Sequence, residues 1–500
     1  MVITLIFLTA LYFVFALVNL RWAVLVLPLF FPAYLLNFQI AGVPFTLIEG
    51  FIDATFLAWV VRGIWDFFMA KKTATHGVSI GKKKSFDFKR LSWKIWFPII
   101  LILVGAIIGT LISEKEIFMM DGRTIFYGQK TALGILKGWI VTPMLMSILF
   151  AYVLKVKEEY RLLLDFYTGS SVFVSLWAIW QVISGQYLTP DLRASGPFLS
   201  ANYLALYIAP ALLYAAIRWR EFLREDHGFV VFRWLKALQA RFGTGLDGSV
   251  PARMFFMLAF FSIGFALFFT KSYAAISALL IAVFVYFGFD SGWWKVWREK
   301  KNAKVFWGVL IGVLLILGVL AFAVFQADPQ KWNKFFEFTE RSSSGVRVEI
   351  YAIATHLIAE HPFAGIGLGQ FPLFYQLQGP RILGHVPYEW NMLHPHNIFF
   401  AFWLNLGILG VFALFWILAL VFKKVVHGLR SLSSQKTWSV DKLRLVGFAL
   451  LLVILVHGFF DTPFFKNDLA LLFWLIISVI LWPYLGNLGR RLLGQGGRVF

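Results

Sequence analysis

The chain is 500 residues long, 60% hydrophobic and only 14% charged, with a formal net charge of +20 and no cysteine. Soluble domains carry about 45–50% apolar and about 25% charged residues, so this balance excludes an ordinary soluble domain and points to a membrane protein. The absence of cysteine excludes thiolate catalysis, disulfides and Cys-ligated metals, and the basic residues fall in connections between apolar runs, which argues for membrane topology and against nucleic acid.

Apolar runs long enough to cross a hydrocarbon core of about 30 Å recur along the chain. In order they cover residues 2–18, 22–36, 44–61, 96–113, 131–154, 162–184, 200–217, 254–270, 274–289, 305–325, 398–422, 445–460 and 468–485. That is thirteen, or twelve if two of the first three form one tilted or re-entrant element. The runs lack the alternating hydropathy of a closed barrel. The first 18 residues have no basic n-region or small-residue cleavage site and read as a retained helix. The expected fold is an all-α integral membrane protein of about 12 (12–13) transmembrane helices with one large extracytoplasmic loop containing an amphipathic helix. Residues 1–325 form the first transmembrane bundle, 326–397 the loop, and 398–500 the C-terminal helices with a basic cytoplasmic tail.

Short loops rich in Lys and Arg stay in the cytoplasm. Residues 62–95 carry nine such residues, including Lys82, Lys83 and Lys84; residues 218–253 carry seven, 290–304 five and 423–444 six. All four belong inside, and alternation sends 114–130, 185–199, 326–397 and 461–467 to the other face. The 72-residue loop 326–397 holds only five Lys or Arg. Connections this long have structure or a function. After Ser342–Ser344, a reasonable cap, Val346, Ile350, Ile353 and Leu357 recur at helical spacing until Pro362, predicting an amphipathic helix over about 345–360. Arg347 and Tyr351 share another face of it.

Several residues in these outer segments have the right chemistry for a site. His394-Pro395-His396-Asn397 enters a helix at the outer boundary. The four residues fit a simple helix cap with two interfacial histidines, and equally a neutral imidazole placed to take a proton from an acceptor hydroxyl near pH 7. A metal needs a third ligand, and His356, Glu360 and His361 of the same loop lack the spacing of a zinc site, so none is expected. Arg341 and Arg347 flank the start of the loop helix, whose N-terminal amides favour an anion such as a phosphate or diphosphate; exposed arginines are also commonly just solvated. Gly365-Ile366-Gly367-Leu368-Gly369 follows a helix and reads as a turn, not a nucleotide loop. Polar residues within apolar runs are functional candidates by default: Glu49 and Asp53, Lys271 with Tyr273, and His457 with Asp461, which are spaced to pair across one helical turn. Asn202 presents an amide at the start of a helix after an outer loop.

Taken in order, Gly196-Pro197-Phe198 through Asn202-Tyr203-Leu204-Ala205, Thr270-Lys271-Ser272-Tyr273, Ser344-Gly345-Val346-Arg347, His361-Pro362-Phe363-Ala364-Gly365-Ile366-Gly367, His394-Pro395-His396-Asn397 and His457-Gly458-Phe459-Phe460-Asp461 resemble the O-antigen ligase and O-antigen polymerase family of bacterial envelope glycosyltransferases. The resemblance implies about twelve helices with a large extracytoplasmic loop, in the inner (cytoplasmic) membrane. It also implies transfer of a glycan from a polyprenyl (undecaprenyl) diphosphate-linked oligosaccharide donor to an acceptor hydroxyl, with no cofactor and no metal. The family's loop arginine corresponds to Arg347 and its histidine before asparagine to His396, with His394 second. Arg341, Lys271, Tyr273, Asn202, Asn397 and Asp461 are the expected contacts to diphosphate and glycan. Many members carry Ser-Arg-Gly where this chain has Lys271-Ser272-Tyr273, which substitutes a point charge for a bidentate fork.

The acceptor stays open among a lipid-anchored core oligosaccharide, another glycan repeat unit and, as in a protein O-oligosaccharyltransferase of the same family, a protein hydroxyl. A transporter or lipid-linked glycan flippase is the alternative of another class. It would concentrate ionisable residues at the midplane of repeated halves, whereas no internal repeat is visible here.

Overall fold

The computed structural model describes residues 2–75, 93–115, 118–120, 124–126, 128–222, 249–291, 343–429 and 439–481. The expected helix 305–325, the start of the loop with Arg341, the Lys82–Lys84 cluster and the tail beyond 481 lie outside the described residues. In chain order the helices are α1 (Val2–Val18), α2 (Leu20–Val26), α3 (Leu47–Thr75), α4 (Trp93–Leu111), α5 (Gln129–Ile135), α6 (Thr142–Val153), α7 (Lys157–Ser184), α8 (Ala201–Phe222) and α9 (Ser249–Phe269). They continue with α10 (Tyr273–Asp290), α11 (Ser343–Glu360), α12 (Phe371–Leu383), α13 (Ile398–Leu429), α14 (Val440–His457) and α15 (Asn467–Leu481).

The protein is mostly helical. By length and composition, six described helical segments are able to cross a membrane: Trp93–Leu111, Gln129–Val153, Lys157–Ser184, Pro251–Phe269, Tyr273–Asp290 and Ile398–Leu429. Val2–Val18, Leu20–Leu35 and Asn467–Leu481 are apolar but shorter. The structure departs from an unbroken all-α pattern in several places. Antiparallel hairpins pair β1 (Asn37–Ile40) with β2 (Val43–Thr46), and β3 (Phe118–Met120) with β4 (Thr124–Phe126). Residues Leu27–Leu35 form a 3-10 helix, because Pro28 and Pro32 withhold amide donors from an α-helical ladder. Between α5 and α6, Leu136–Val141 takes a wider π-helical turn.

Backbone contacts divide the chain into two compact units. In the first (residues 1–99, 137–276 and 466–500), α9 packs on α7 and α8, α1 on α3, and α15 on α6. Ser147 and Ser478 hydroxyls meet at 2.7 Å between α6 and α15. Glu49 at the start of α3 pairs with Lys137 of the π segment, and accepts from the Asn467 amide at 2.6 Å and the Thr46 N–H at 3.1 Å. That carboxylate, singled out in the sequence as a polar group in an apolar run, is thereby a satisfied structural lock.

In the second unit (residues 100–136 and 277–465), α11 packs on α12 and α13, and α13 on α14. Ile350, Ile353 and Leu357 of α11 are fully buried against Phe371, Tyr375 and Leu404, as the loop periodicity predicts. The helix α12 was not expected. Within α13 the backbone breaks at Gly407, and the Gly365–Gly369 turn fits into the break: Ile366 N–H donates to Leu404 O at 2.8 Å and Ile408 N–H to Phe363 O at 3.0 Å. Gly365 (φ 71°) and Gly407 (φ 65°) sit in the left-handed region, and a Cβ on either would lie 2.4 Å or less from a backbone oxygen. The glycine-rich motif is therefore a backbone joint and not a ligand loop.

Candidate active site

The second unit assembles a site from three separate segments. α14 ends at His457, and the chain turns through Gly458, Phe459 and Phe460 to Asp461. Ile398 N–H, in the first turn of α13, donates to Gly458 O at 2.8 Å, which fixes the His394–Asn397 segment beside this turn. Asn397 caps α13: its Oδ1 accepts from Phe399 N–H at 2.9 Å and Phe400 N–H at 3.2 Å, and its Nδ2 lies 3.4 Å from Phe459 O. Both ends of its amide are thus engaged within the protein.

His396 precedes that cap with φ 46°, a left-handed conformation a non-glycine residue adopts at a cost of roughly 1–3 kcal/mol. The strain is held in place by the neighbouring bonds and turns the imidazole onto Asp461. His396 Nδ1 lies 3.4 Å and His394 Nδ1 3.8 Å from Asp461 Oδ1, and the two rings lie 4.4 Å apart. The Asp461 side chain is 2% exposed, whereas those of His394 and His396 are 17% and 20% exposed. The carboxylate is thus a floor, and the imidazoles are the surface a substrate meets. Burial alone would raise the Asp461 carboxyl, but facing His396, and then His394 and His457, outweigh it and hold the group well below the usual carboxylate range. Asp461 was expected to pair with His457 across a helical turn. The helix ends at His457, four residues before Asp461, so the two do not share a helical turn, and the carboxylate faces the other two histidines.

α11 brings Arg347 and Tyr351 to the same place from their shared face. Arg347 Nε donates to Phe460 O at 3.3 Å, and the Tyr351 hydroxyl donates to Phe459 O at 2.7 Å with His396 O 3.0 Å away. Burial pushes the Tyr351 hydroxyl up and keeps it a donor. Arg347, Tyr351, His394, His396 and Asp461 therefore form one cluster, tied through the Phe459–Phe460 carbonyls. Tyr351 holds the backbone of His396, a role not assigned from the sequence. Ligand atoms of His394, His396 and Asp461 lie within 4.8 Å of one another, and these residues are able to hold a metal ion. Asp461 is separated from the two histidines by α13 and α14, so no sequence spacing links the three.

The first unit holds the remaining candidates in a different arrangement. Asn202 opens the first turn of α8, Lys271 follows α9 with φ 49°, and Tyr273 begins α10 and is exposed. Arg193, missed in the sequence, links two of these segments: its Nη2 donates to Asn202 Oδ1 at 2.6 Å and its Nε to Thr270 O, next to Lys271, at 2.5 Å. Its own loop is closed by Thr189, whose hydroxyl donates to Asp191 at 2.6 Å and accepts from Arg193 N–H at 3.0 Å. The Gln181 amide pins the Gly196 end, accepting from Gly196 N–H and donating to Gly196 O, both at 2.8 Å. Phe198 and Tyr203 of the motif serve another cation: the Lys466 ammonium lies 4.7 Å and 4.1 Å from their rings, 4.8 Å from that of Tyr34, and 3.6 Å from Asp468. The available signal for Arg193 was its place three residues before Gly196, in the only Lys or Arg position of the 185–199 loop.

No curated protein matches the chain. A protein-family model does: it covers Lys271, Tyr273, Arg347, His394, His396 and Asn397, and leaves Arg193, Asn202 and Asp461 outside. Residues 258–415, about a third of the chain, match the family described as O-antigen ligase, so this stretch is similar to that family, in keeping with the ordered motifs around it.

Proposed function

We propose that the protein is a membrane glycosyltransferase of the ligase or polymerase type, moving a glycan from an undecaprenyl-type polyprenyl diphosphate to an acceptor hydroxyl with inversion and without a metal. In this reading the chain has about twelve spans, residues 326–397 and the site lie on the extracytoplasmic face of the cytoplasmic membrane, and residues 1–325 and 398–500 contribute the helices around them. The basic connections of the sequence support that orientation.

The observation that carries the reading is the pairing of His396 with buried Asp461 beside Arg347. A carboxylate facing Nδ1 favours the tautomer with its proton there, and leaves the Nε2 lone pair for the acceptor. The acceptor oxygen attacks the anomeric carbon and its proton passes to Nε2 of His396. The bond from the anomeric carbon to the diphosphate oxygen breaks, and the lipid diphosphate leaves with the bonding pair. Arg347, with Arg341 from the same loop, stabilises that developing charge, the kind of contribution preorganised electrostatics makes best. His394 shares the carboxylate and lines the acceptor side; in the first unit, taken by itself, Lys271, Tyr273 and Asn202 are the proposed polar contacts to a glycan donor.

The test is transfer from a purified polyprenyl-diphosphate-linked donor by reconstituted protein, with lipid-core, glycan and protein acceptors in parallel. Product is expected with one acceptor class, is lost in His396→Ala and Arg347→Ala, and is unaffected by a chelator. Transfer that survives both substitutions removes this site assignment. Transfer to no acceptor puts a lipid-linked glycan transporter ahead.

A further inference from the structure

Beyond the proton transfer assigned to it, the cluster under the imidazoles has the composition of a ligand set. Two imidazole nitrogens and a carboxylate oxygen converge from positions 394, 396 and 461, with edges of 3.4 Å and 3.8 Å to Asp461 Oδ1 and every ligand atom within 4.8 Å of the others. Zinc–nitrogen and zinc–oxygen bonds of about 2.0–2.1 Å give tetrahedral edges of about 3.3–3.4 Å. One edge already has that length, and small rotations of two partly exposed rings close the rest. Asp461 is fixed by the turn that accepts Thr462 N–H on the same oxygen at 2.8 Å, and His396 is fixed by its strained backbone. The set is therefore preorganised, and its imidazole side is open to solvent.

We propose that His394, His396 and Asp461 bind a transition-metal dication, Zn²⁺ above all, through both Nδ1 atoms and the carboxylate, and that this metal switches transfer off. The inhibitory half rests on the proton-acceptor reading of His396; the binding half does not. A neutral imidazole with a metal on Nδ1 carries its proton on Nε2. That nitrogen then donates and has no lone pair for the acceptor hydroxyl. The Nδ1 proton displaced by the metal is accounted for by the one now on Nε2, so the ring stays neutral and no redox partner is involved. Two imidazoles select Zn²⁺, Co²⁺, Ni²⁺ and Cu²⁺ over Mg²⁺ and Ca²⁺, which prefer oxygen.

The experiment uses full-length, metal-free protein in lipid nanodiscs. Co²⁺ titrated alone is expected to give the visible absorption of a four-coordinate site at one equivalent, displaced by Zn²⁺ and untouched by Mg²⁺. His394→Ala and Asp461→Asn, checked for folding by thermal unfolding, are expected to weaken binding tenfold or more. X-ray absorption of the Zn²⁺-loaded native protein, which needs no variant, is expected to show two imidazoles per metal. In the transfer assay Zn²⁺ at saturating occupancy abolishes product, and a chelator restores it. Absence of the cobalt signal, absence of imidazole scattering, or binding unchanged in folded variants overturns the site. Stimulation by Zn²⁺ overturns the inhibition and the metal-free mechanism together. A protein that binds one Zn²⁺ but transfers to no acceptor keeps the site and loses the transferase reading.

Discussion

Asp165 in the first unit and Asp461 in the second are both buried carboxylates, and each faces cations or imidazoles. Asp165, on α7, accepts from the Tyr214 hydroxyl at 2.7 Å and lies 3.5 Å from Arg218, which in turn lies 3.5 Å from Glu221. The Arg218 and Asp165 side chains are each only 4% exposed and that of Glu221 11%, so that network is largely closed to solvent. Asp461 is as deeply covered, but its partners are two imidazoles with a fifth or so of their side chains in contact with solvent. A buried charge costs several kcal/mol in either place and must be compensated. The sealed network converts that cost into a fixed contact between α7 and α8, whereas the open one passes it to side chains that meet another molecule.

The largest effect that sharpens this contrast is at the open site. His396→Ala is expected to lower transfer by about 10²- to 10⁴-fold while leaving the thermal unfolding of the purified protein nearly unchanged. An unfolding midpoint that falls together with activity would break the comparison, because His396 would then be a structural residue like Tyr214. The converse experiment is Asp165→Asn, which removes one of the two carboxylates that face buried Arg218 and leaves it with Glu221. A stability loss of about 3–5 kcal/mol is expected, with unchanged transfer per folded molecule once the folded fraction is corrected by size-exclusion recovery.

The sequence made the open site legible in pieces and left the sealed one dark. Arg347 and the His394–Asn397 motif were visible because charged and imidazole groups stand out at the edge of apolar runs. The core face of α11 was visible because Ile350, Ile353 and Leu357 recur at helical spacing. The convergence of Asp461 on both histidines was not visible, since it depends on α14 stopping at His457 and on a turn whose shape comes from backbone bonds to α13. Arg193 was hidden for a similar reason: a lone arginine in a loop has no pattern, and its partners lie 9 and 77 positions away. The proline-bent 3-10 segment, the π turn before α6 and the second loop helix α12 likewise follow from packing and local donor loss, which hydropathy averages away.

A smaller effect separates the carboxylate floor from the imidazoles above it. Asp461→Asn retains the shape and loses the charge that favours the Nδ1–H tautomer of His396, so transfer is expected to fall by about 10- to 10²-fold, less than removal of the base itself. Measured on the same preparations as His396→Ala, the double variant is expected to be no worse than His396→Ala alone. Additive losses would mean that Asp461 acts on the reaction by a route other than His396.

The smallest expected effect tests whether the first unit has an open site of its own. The Arg193 guanidinium uses separate nitrogens for Thr270 O and Asn202 Oδ1, a geometry that a planar fork meets and a lysine ammonium does not. Arg193→Lys keeps the charge and forfeits one of the two bonds, which loosens the turn that carries Lys271. If Lys271 and Asn202 grip the donor, its KM is expected to rise about tenfold, the 1.4 kcal/mol of a single lost charged hydrogen bond, with kcat nearly constant. A merely structural Arg193 would lower the unfolding midpoint and leave KM in place. In that case Arg193 belongs with Arg218 among the sealed contacts, and the open chemistry of the protein is confined to the second unit.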